Sequence, residues 1–126
     1  MSNYATENLR TLALVGHGSC GKTTLIEAML YRAGMIPEMG SIQRGTTMCD
    51  NDLLEKEVGH SIRLAVAHID TAMTDLTPVR IHILDTPGYP DYLGQDMSAL
   101  DAVKSVCAVI DPTKGPELLT RRLMAM

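Results

Sequence analysis

The chain has 126 residues, enough for one domain with a hydrophobic core, and its 45% hydrophobic and 21% charged content is that of an ordinary globular protein. Its net charge of −4 argues against a broad, non-specific nucleic-acid-binding surface, which requires a basic face. No apolar run approaches the roughly 20 residues of a membrane-spanning helix, the first residues lack signal-peptide features, and three widely spaced cysteines favour a reducing, cytoplasmic location.

The first predicted elements surround a phosphate-binding loop. Residues 12–15 form a short apolar run, typical of a buried parallel strand, and residues 22–32 have the spacing of an amphipathic helix that ends near Gly34. Between them, residues 16–23 match the pattern G-x-x-x-x-G-K-[ST]. In such a loop, backbone N–H groups surround one anion, Lys22 reaches the β- and γ-phosphates, and the Thr23 hydroxyl ligates Mg²⁺. The sequence therefore predicts binding of nucleotide phosphates.

The remaining elements predict an α/β fold. Residues 34–59 lack periodicity, and a segment this long is usually functional or mobile. Strands are expected at 62–69 and 79–84, joined as a hairpin, followed by a helix at 93–103, a fully buried strand at 105–110 and a helix that begins at Pro116. This order is typical of a doubly wound sheet with one antiparallel pair. With about four strands, the last strand would form an exposed sheet edge.

A second candidate phosphate element lies at residues 81–88, an apolar strand that ends in Asp85 and continues as Thr-Pro-Gly. In P-loop enzymes, an aspartate at the end of a strand holds the Mg²⁺ shell that the loop hydroxyl begins. The N–H of Gly88, in a turn without a Cβ, can approach the γ-phosphate. Asp111 also ends an apolar run, but we interpret it as an ordinary strand-end residue. Asp85 is preferred because D-T-P-G follows a phosphate-binding loop, a combination that also favours a GTPase over a generic ATPase.

These motifs resemble the translational GTPases, and within them elongation factor G and its paralogues. The similarity runs nearly the whole chain, through residues 14–18, 21–24, 27–34, 45–47, 50, 55–57, 85–89 and 91. It implies a P-loop NTPase fold of the Ras-like GTPase class, with GTP, GDP and Mg²⁺ as ligands and the ribosome as partner. The candidate nucleotide-binding residues are then His17, Gly18, Ser19, Cys20, Gly21, Lys22, Thr23, Thr24, Asp85 and Gly88.

Three positions depart together from the pattern of that family. The family carries a histidine directly after D-T-P-G, which positions the attacking water, and this chain has Tyr89. The family also carries apolar residues around that histidine, where this chain has Gly18 and His60. Tyrosine, with a reference pKa near 10, is a poor base at neutral pH but can orient a water by hydrogen bonding. Lys22 and Tyr89 are therefore the candidate catalytic residues, in a site whose chemistry is altered.

The first switch of the family reads R-G-I-T, and its threonine completes the coordination of Mg²⁺. The matching residues here are Val58-Gly59-His60-Ser61. Ser61 keeps a hydroxyl, so the candidate metal-binding residues are Thr23, Ser61 and Asp85.

The guanine-recognition motif N-K-x-D is absent, because none of the three asparagines is followed by lysine. We therefore expect residues 1–126 to be the N-terminal part of a GTP-binding domain that ends before its base-recognition motifs. Three functions stay open: a Mg²⁺-dependent GTPase module, a nucleotide-binding switch or ribosome-docking module with little turnover, and an incomplete domain that binds nothing stably.

Overall fold

The computed structural model describes residues 4–49, 61–73 and 75–126. This part of the chain contains strands β1 (Leu9–Val15), β2 (Ala65–Ala72), β3 (Pro78–Asp85) and β4 (Ser105–Ala108). Its α-helices are α1 (Lys22–Arg32), α2 (Leu93–Ala102) and α3 (Leu118–Met124). Short 3₁₀ turns lie at Thr6–Asn8, Ile42–Arg44 and Pro90–Tyr92. None of the helices in the described ranges has the length and apolar character needed to cross a bilayer.

The four strands form one mixed sheet in the order β2-β3-β1-β4. Strand β1 runs parallel to both of its neighbours, β3 and β4, whereas β2 and β3 form the predicted antiparallel hairpin. Together with the flanking helices, this topology confirms the expected doubly wound P-loop architecture.

Helices cover both faces of the sheet because the central strand is apolar on both faces. In β1, Leu14 packs in a cluster with Ile26 and Leu30 of α1. The alternate residues Ala13 and Val15 pack in a second cluster that includes residues of α2 and α3. Successive side chains of a strand point to opposite faces, so one short apolar run supplies both clusters. The sheet is thus fixed between α1 on one side and α2 with α3 on the other.

The second strand begins three residues later than the sequence predicts, at Ala65 instead of Ile62. The reason is a side chain on α2. The Gln95 amide accepts a hydrogen bond from the Leu64 N–H at 2.5 Å and donates to the Ile62 carbonyl at 3.1 Å. These backbone groups pair with a side chain instead of with a strand, so regular pairing starts after them.

The prediction that residues 105–110 form a fully buried strand is wrong in its burial and its length. Strand β4 ends at Ala108, and most of its residues are exposed, with Val106 exposed to 46%. The strand pairs with β1 on one side and lies at the edge of the sheet, so its apolar character alone does not bury it. The expectation of an exposed edge strand is confirmed. The last helix begins at Leu118, two residues after Pro116, because Glu117 has an extended backbone.

A buried carboxylate ties the loop after α1 to the helix. Glu27 is 1% exposed on α1, and it accepts hydrogen bonds from the backbone N–H groups of Gly40, at 2.9 Å, and Met48. A buried charge is stable only when it is paired or hydrogen-bonded, and here the backbone of the loop supplies the donors. Residues 40–48 are thereby held against α1, next to the phosphate-binding loop.

Replacing Glu27 by alanine should destabilise the chain, because two backbone N–H groups lose their acceptor. The expected loss is about 1–3 kcal/mol for each of these groups that stays buried. The measurement is the free energy of unfolding in urea. Glu27→Gln, which keeps one acceptor oxygen, should cost less than Glu27→Ala. Glu38→Ala, which removes an exposed glutamate of the same loop, is the control. If it lowered the unfolding free energy as much as Glu27→Ala, the proposed role of Glu27 in holding the loop would be contradicted.

Candidate functional site

The site lies where β1 and β3 end. The two strands are parallel neighbours, and their register places Leu14 opposite Asp85. The loops that follow them therefore leave the same edge of the sheet, which is the edge where ligands bind in open α/β folds. The phosphate-binding loop and the Asp85–Gly88 segment meet at this edge, although Thr23 and Asp85 are 62 residues apart in sequence.

Lys22 is buried beneath the phosphate-binding loop, at 5% exposure. Its ammonium donates hydrogen bonds to the carbonyl oxygens of Gly16 and His17, both at 3.0 Å, and lies 4.0 Å from the Cys20 sulfur. The loop is wrapped around this cation. Lysine is an adaptable point charge on a long stem, so the same ammonium can turn from the carbonyls toward an anion held by the loop.

Gly88 packs directly on the same loop. It has a φ of +78°, and a Cβ at this position would overlap the Lys22 ammonium and lie 2.5 Å from the Gly16 carbonyl oxygen. Only glycine accommodates both the backbone conformation and this approach. The D-T-P-G turn therefore lies against the lysine, as expected for two elements that serve one ligand.

The three residues predicted to bind a metal come together. The Thr23 hydroxyl donates to Asp85 Oδ2 at 2.6 Å and lies 3.2 Å from the Ser61 hydroxyl oxygen. Thr23 and Asp85 are both buried. Two hydroxyls and one carboxylate are hard oxygen donors of the kind that Mg²⁺ prefers, and Mg²⁺ in phosphate sites takes only one or two carboxylates from the protein. The donor set thus fits the expected ion. The described ranges hold no group of three or more His, Cys, Asp or Glu that could bind a metal ion.

Gln95 determines where Ser61 lies. By pairing with the backbone of residues 62 and 64, its amide fixes the segment that carries the serine against α2. The rest of the first-switch match, Val58, Gly59 and His60, lies outside the described residues, as do the matched residues 50 and 55–57.

Tyr89 lies across the phosphate-binding loop. A Cβ at Gly18 would come within 2.7 Å of three ring carbons of Tyr89, so the ring rests on the backbone of the glycine. The Tyr89 hydroxyl lies 3.4 Å from the Ser19 hydroxyl, and the His17 ring is 6.4 Å from the tyrosine ring. Two of the positions that depart together from the resembled family are therefore in direct contact. The missing side chain at Gly18 makes the space that the larger ring at Tyr89 fills.

The pocket between these elements is small. It encloses about 50 Å³ and is lined by Ser19, Gly21, Lys22, Thr23, Ile42, Ser61, Thr86, Pro87 and Tyr89. Pockets that hold a whole drug-sized ligand enclose about 300–1,000 Å³. The pocket is therefore smaller than a nucleotide, and both the Lys22 side chain and the Tyr89 side chain line it. Ile42 was not predicted as a site residue, because it lies in the aperiodic loop that Glu27 holds in place.

The remaining residues predicted to contact the nucleotide do not all lie at the pocket. The His17 Nε2 atom lies 2.9 Å from the Glu117 carboxylate, a contact that links the loop to the start of α3. Cys20 is half-buried beside Lys22, whereas Thr24 is exposed and does not line the pocket. Asp111 accepts two hydrogen bonds from Thr113 in a local turn, three residues after the end of β4.

A further acidic residue, Asp96, lies beside the site and was not predicted from the sequence. It is 0% exposed on α2. Burial raises the pKa of its carboxyl above the ordinary value of 3.8, and the opposing influences are the Thr86 hydroxyl, the Lys22 ammonium and the Gly88 N–H. The available signal was its spacing: it lies three residues after Leu93 and three before Ala99, on the apolar stripe of the helix.

Comparison with known proteins agrees with this geometry. Residues 7–126 match the family described as the elongation factor Tu GTP binding domain. The chain is 36% identical over 112 residues to a tetracycline resistance protein TetM of Enterococcus faecalis, covering 89% of this chain and 17% of that protein. It is 36% identical over 115 residues to an elongation factor G-like protein of Mycobacterium tuberculosis, covering 91% of this chain and 15% of that protein.

Solved structures give the same result. A protein of Thermus thermophilus superimposes with a TM-score of 0.83 at 34% identity, over 92% of this chain and 17% of that one. The bacterial selenocysteine-specific elongation factor EF-Sec superimposes with a TM-score of 0.69 over 91% of this chain and 17% of its own; at 24% identity, that likeness concerns the fold. The chain thus spans 15–17% of the length of these relatives.

The contact between Gly18 and Tyr89 predicts that substitutions at the two positions are coupled. Gly18→Val should destabilise the chain by about 1–3 kcal/mol, because its side chain collides with the ring. Most of that loss should disappear in the double variant with Tyr89→Ala. The measurement is a double-mutant cycle of unfolding free energies, and additive effects would contradict the contact.

Proposed function

Because the chain belongs to the family of elongation factor Tu GTP-binding domains, we propose that it is the GTP- and GDP-binding module of an elongation-factor-G-like translational GTPase. The whole protein would hydrolyse GTP with Mg²⁺ in the cytoplasm and act with the ribosome. The observation that carries this proposal is the meeting of the buried Lys22, the Gly88 turn and the Thr23–Asp85 hydrogen bond at one end of the sheet.

Each residue has a role that follows from its position. Lys22 would leave the Gly16 and His17 carbonyls and neutralise the β- and γ-phosphates, while the Gly88 N–H binds the terminal phosphate. Thr23, Asp85 and Ser61 would hold Mg²⁺, which neutralises charge on the phosphate oxygens when it is bound. The remaining contacts would come from the loop residues His17 to Thr24 as proposed from the sequence.

We propose Tyr89 as the residue that orients the attacking water. Its hydroxyl lies beside the loop at Ser19, so it is close to where the terminal phosphate would lie. A tyrosine can hydrogen-bond a water but removes a proton poorly at neutral pH. The same contact supports the second candidate function, a nucleotide-binding switch or ribosome-docking module with little turnover, because the ring covers the loop at Gly18.

Guanine selectivity is proposed from the family alone, because the sequence has no Asn-Lys pair that could begin the base-recognition motif. With 15–17% of the length of its relatives, the chain is proposed to be the phosphate-binding part of a larger GTP-binding domain. By itself it should bind phosphates weakly and discriminate bases poorly.

The nucleotide proposal predicts that Lys22→Ala abolishes binding of GDP with Mg²⁺, since the cation beneath the loop is lost. Lys104→Ala removes an exposed lysine and should leave the affinity unchanged. The measurement is calorimetric titration of the folded chain with GDP and with ADP. Equal, weak affinities for the two nucleotides are expected. A chain that binds neither would contradict the proposal, and ADP at least about tenfold weaker than GDP would reveal a base pocket elsewhere.

A substitution at Tyr89 distinguishes the two candidate functions. If the site is catalytically attenuated, Tyr89→His should raise phosphate release from GTP by about tenfold or more, because imidazole is a better proton acceptor near neutral pH. Tyr89→Phe, which keeps the ring and removes the hydroxyl, is the matched control. An unchanged rate in Tyr89→His together with a lower rate in Tyr89→Phe would instead support Tyr89 as the water-positioning residue of an enzyme.

A further inference from the structure

Asp96 places a carboxyl at a position of α2 whose neighbours are apolar core residues. It is fully buried on the face of α2 whose neighbouring residues Leu93 and Ala99 pack in the apolar cluster under the sheet. Within the described part of the chain, neither of its carboxyl oxygens has a hydrogen-bond partner of ordinary geometry. A buried polar group without partners lowers the stability of the folded chain. An apolar residue would avoid that cost, which points to a role for the carboxyl outside packing.

The groups beside Asp96 belong to the phosphate site. They are the Thr86 hydroxyl, the Lys22 ammonium and the Gly88 N–H, and each lowers the pKa of a carboxyl whose pKa burial raises. The single proton of the Thr86 hydroxyl is donated to the Leu14 carbonyl at 3.0 Å. Thr86 therefore has no further proton to donate to Asp96. The groups left to attract the Asp96 oxygens are the Gly88 N–H and the Lys22 ammonium.

These two groups are the ones that a terminal phosphate would use. We propose that Asp96 is a specificity-determining residue whose carboxyl competes with the γ-phosphate for the Gly88 N–H and for the charge of Lys22, and so favours a nucleoside diphosphate over a triphosphate. This inference rests on the proposed function, because it concerns selectivity between two ligands of the same site.

The competition has a simple physical basis. The D-T-P-G turn lies so close to the loop that a Cβ at Gly88 would overlap the Lys22 ammonium. The Gly88 N–H and the Lys22 ammonium are therefore shared between the Asp96 carboxyl and a terminal phosphate. The Gly88 N–H is one of the groups beside the Asp96 carboxyl, so the carboxyl and a bound terminal phosphate would compete for the same donor. A triphosphate must draw the amide away from the carboxyl and bring the charge of its γ-phosphate close to Asp96, whereas a diphosphate needs neither change.

Two variants test this role. Asp96→Leu replaces the carboxyl by an apolar side chain, and Asp96→Asn replaces the ionisable carboxyl by a neutral amide of the same shape. Both should increase the affinity for the β,γ-imido analogue of GTP relative to GDP by at least about fivefold, the lower end of typical coupling energies. The leucine variant should show the larger change. Asp101→Asn is the matched control, since it removes an exposed carboxylate from the same helix and should leave the ratio unchanged.

The ratio of affinities is measured by titration of the full chain in Mg²⁺, with unfolding curves to verify that each variant is folded. An unchanged ratio in both folded variants would overturn the proposal. So would a ratio that changes equally in Asp101→Asn, because a general charge effect would then be sufficient. A merely structural role for Asp96 would alter both affinities together and leave their ratio constant.

A second measurement separates this inference from the proposed function. In the chain without nucleotide, the amide resonance of Gly88 should shift in Asp96→Leu and stay in place in Asp101→Asn. If the wild-type chain bound neither nucleotide, the proposed function would fail. The amide resonance would still decide whether Asp96 acts on Gly88, and an unshifted resonance would overturn the inference.

Discussion

The parallel pairing of β1 with β3 is the constraint on which the site depends. The phosphate-binding loop follows one strand and the Asp85–Gly88 turn follows the other, so the register that sets Leu14 opposite Asp85 also sets the distance between the two phosphate elements. The apolar side chains on both faces of β1 fix this register, because a shift by one residue would exchange the two clusters that the helices cover. The packing of the core therefore also fixes the geometry of the site in this fold.

Around that pair of strands, each part of the site is held by a polar residue on a neighbouring element. Glu27 of α1 binds the backbone of the loop that brings Ile42 to the pocket. Gln95 of α2 binds the backbone that brings Ser61 to Thr23. His17 binds Glu117 at the start of α3. Loops that carry function are usually positioned by a rigid scaffold, and here side chains at all three helices supply the attachment.

The contact between Tyr89 and Gly18 gives the departures from the family pattern a physical meaning. A loop residue with a side chain at position 18 would exclude the tyrosine ring, and a smaller residue at position 89 would leave the glycine backbone uncovered. The two residues are therefore interpretable as one coupled feature. These two residues depart from the family pattern, while the phosphate-binding loop keeps the motif G-x-x-x-x-G-K-[ST].

Much of this protein could be predicted from its sequence because the signals were local. Spacing alone located α1 with its observed bounds, the order of strands and helices, and the loop with Lys22 and Thr23. Apolar character was less informative about burial. The apolar run of β4 was predicted to be buried, yet the strand lies at the sheet edge. Burial depends on which strand lies next to it in space. The start of β2 was also misplaced, since Gln95, more distant in sequence, takes the backbone partners of Ile62 and Leu64.

By itself, then, the sequence determined the class of fold and the chemistry of the phosphate elements, since both follow from residue type and spacing along the chain. Only the tertiary structure decided that Ser61 reaches Thr23, that Tyr89 rests on Gly18, and that Asp96 lies beside Gly88 and Lys22. These juxtapositions join residues that are distant in sequence and are created by strand pairing and helix packing. A one-dimensional pattern cannot specify them, because the energy of each contact depends on neighbours that the fold alone brings together.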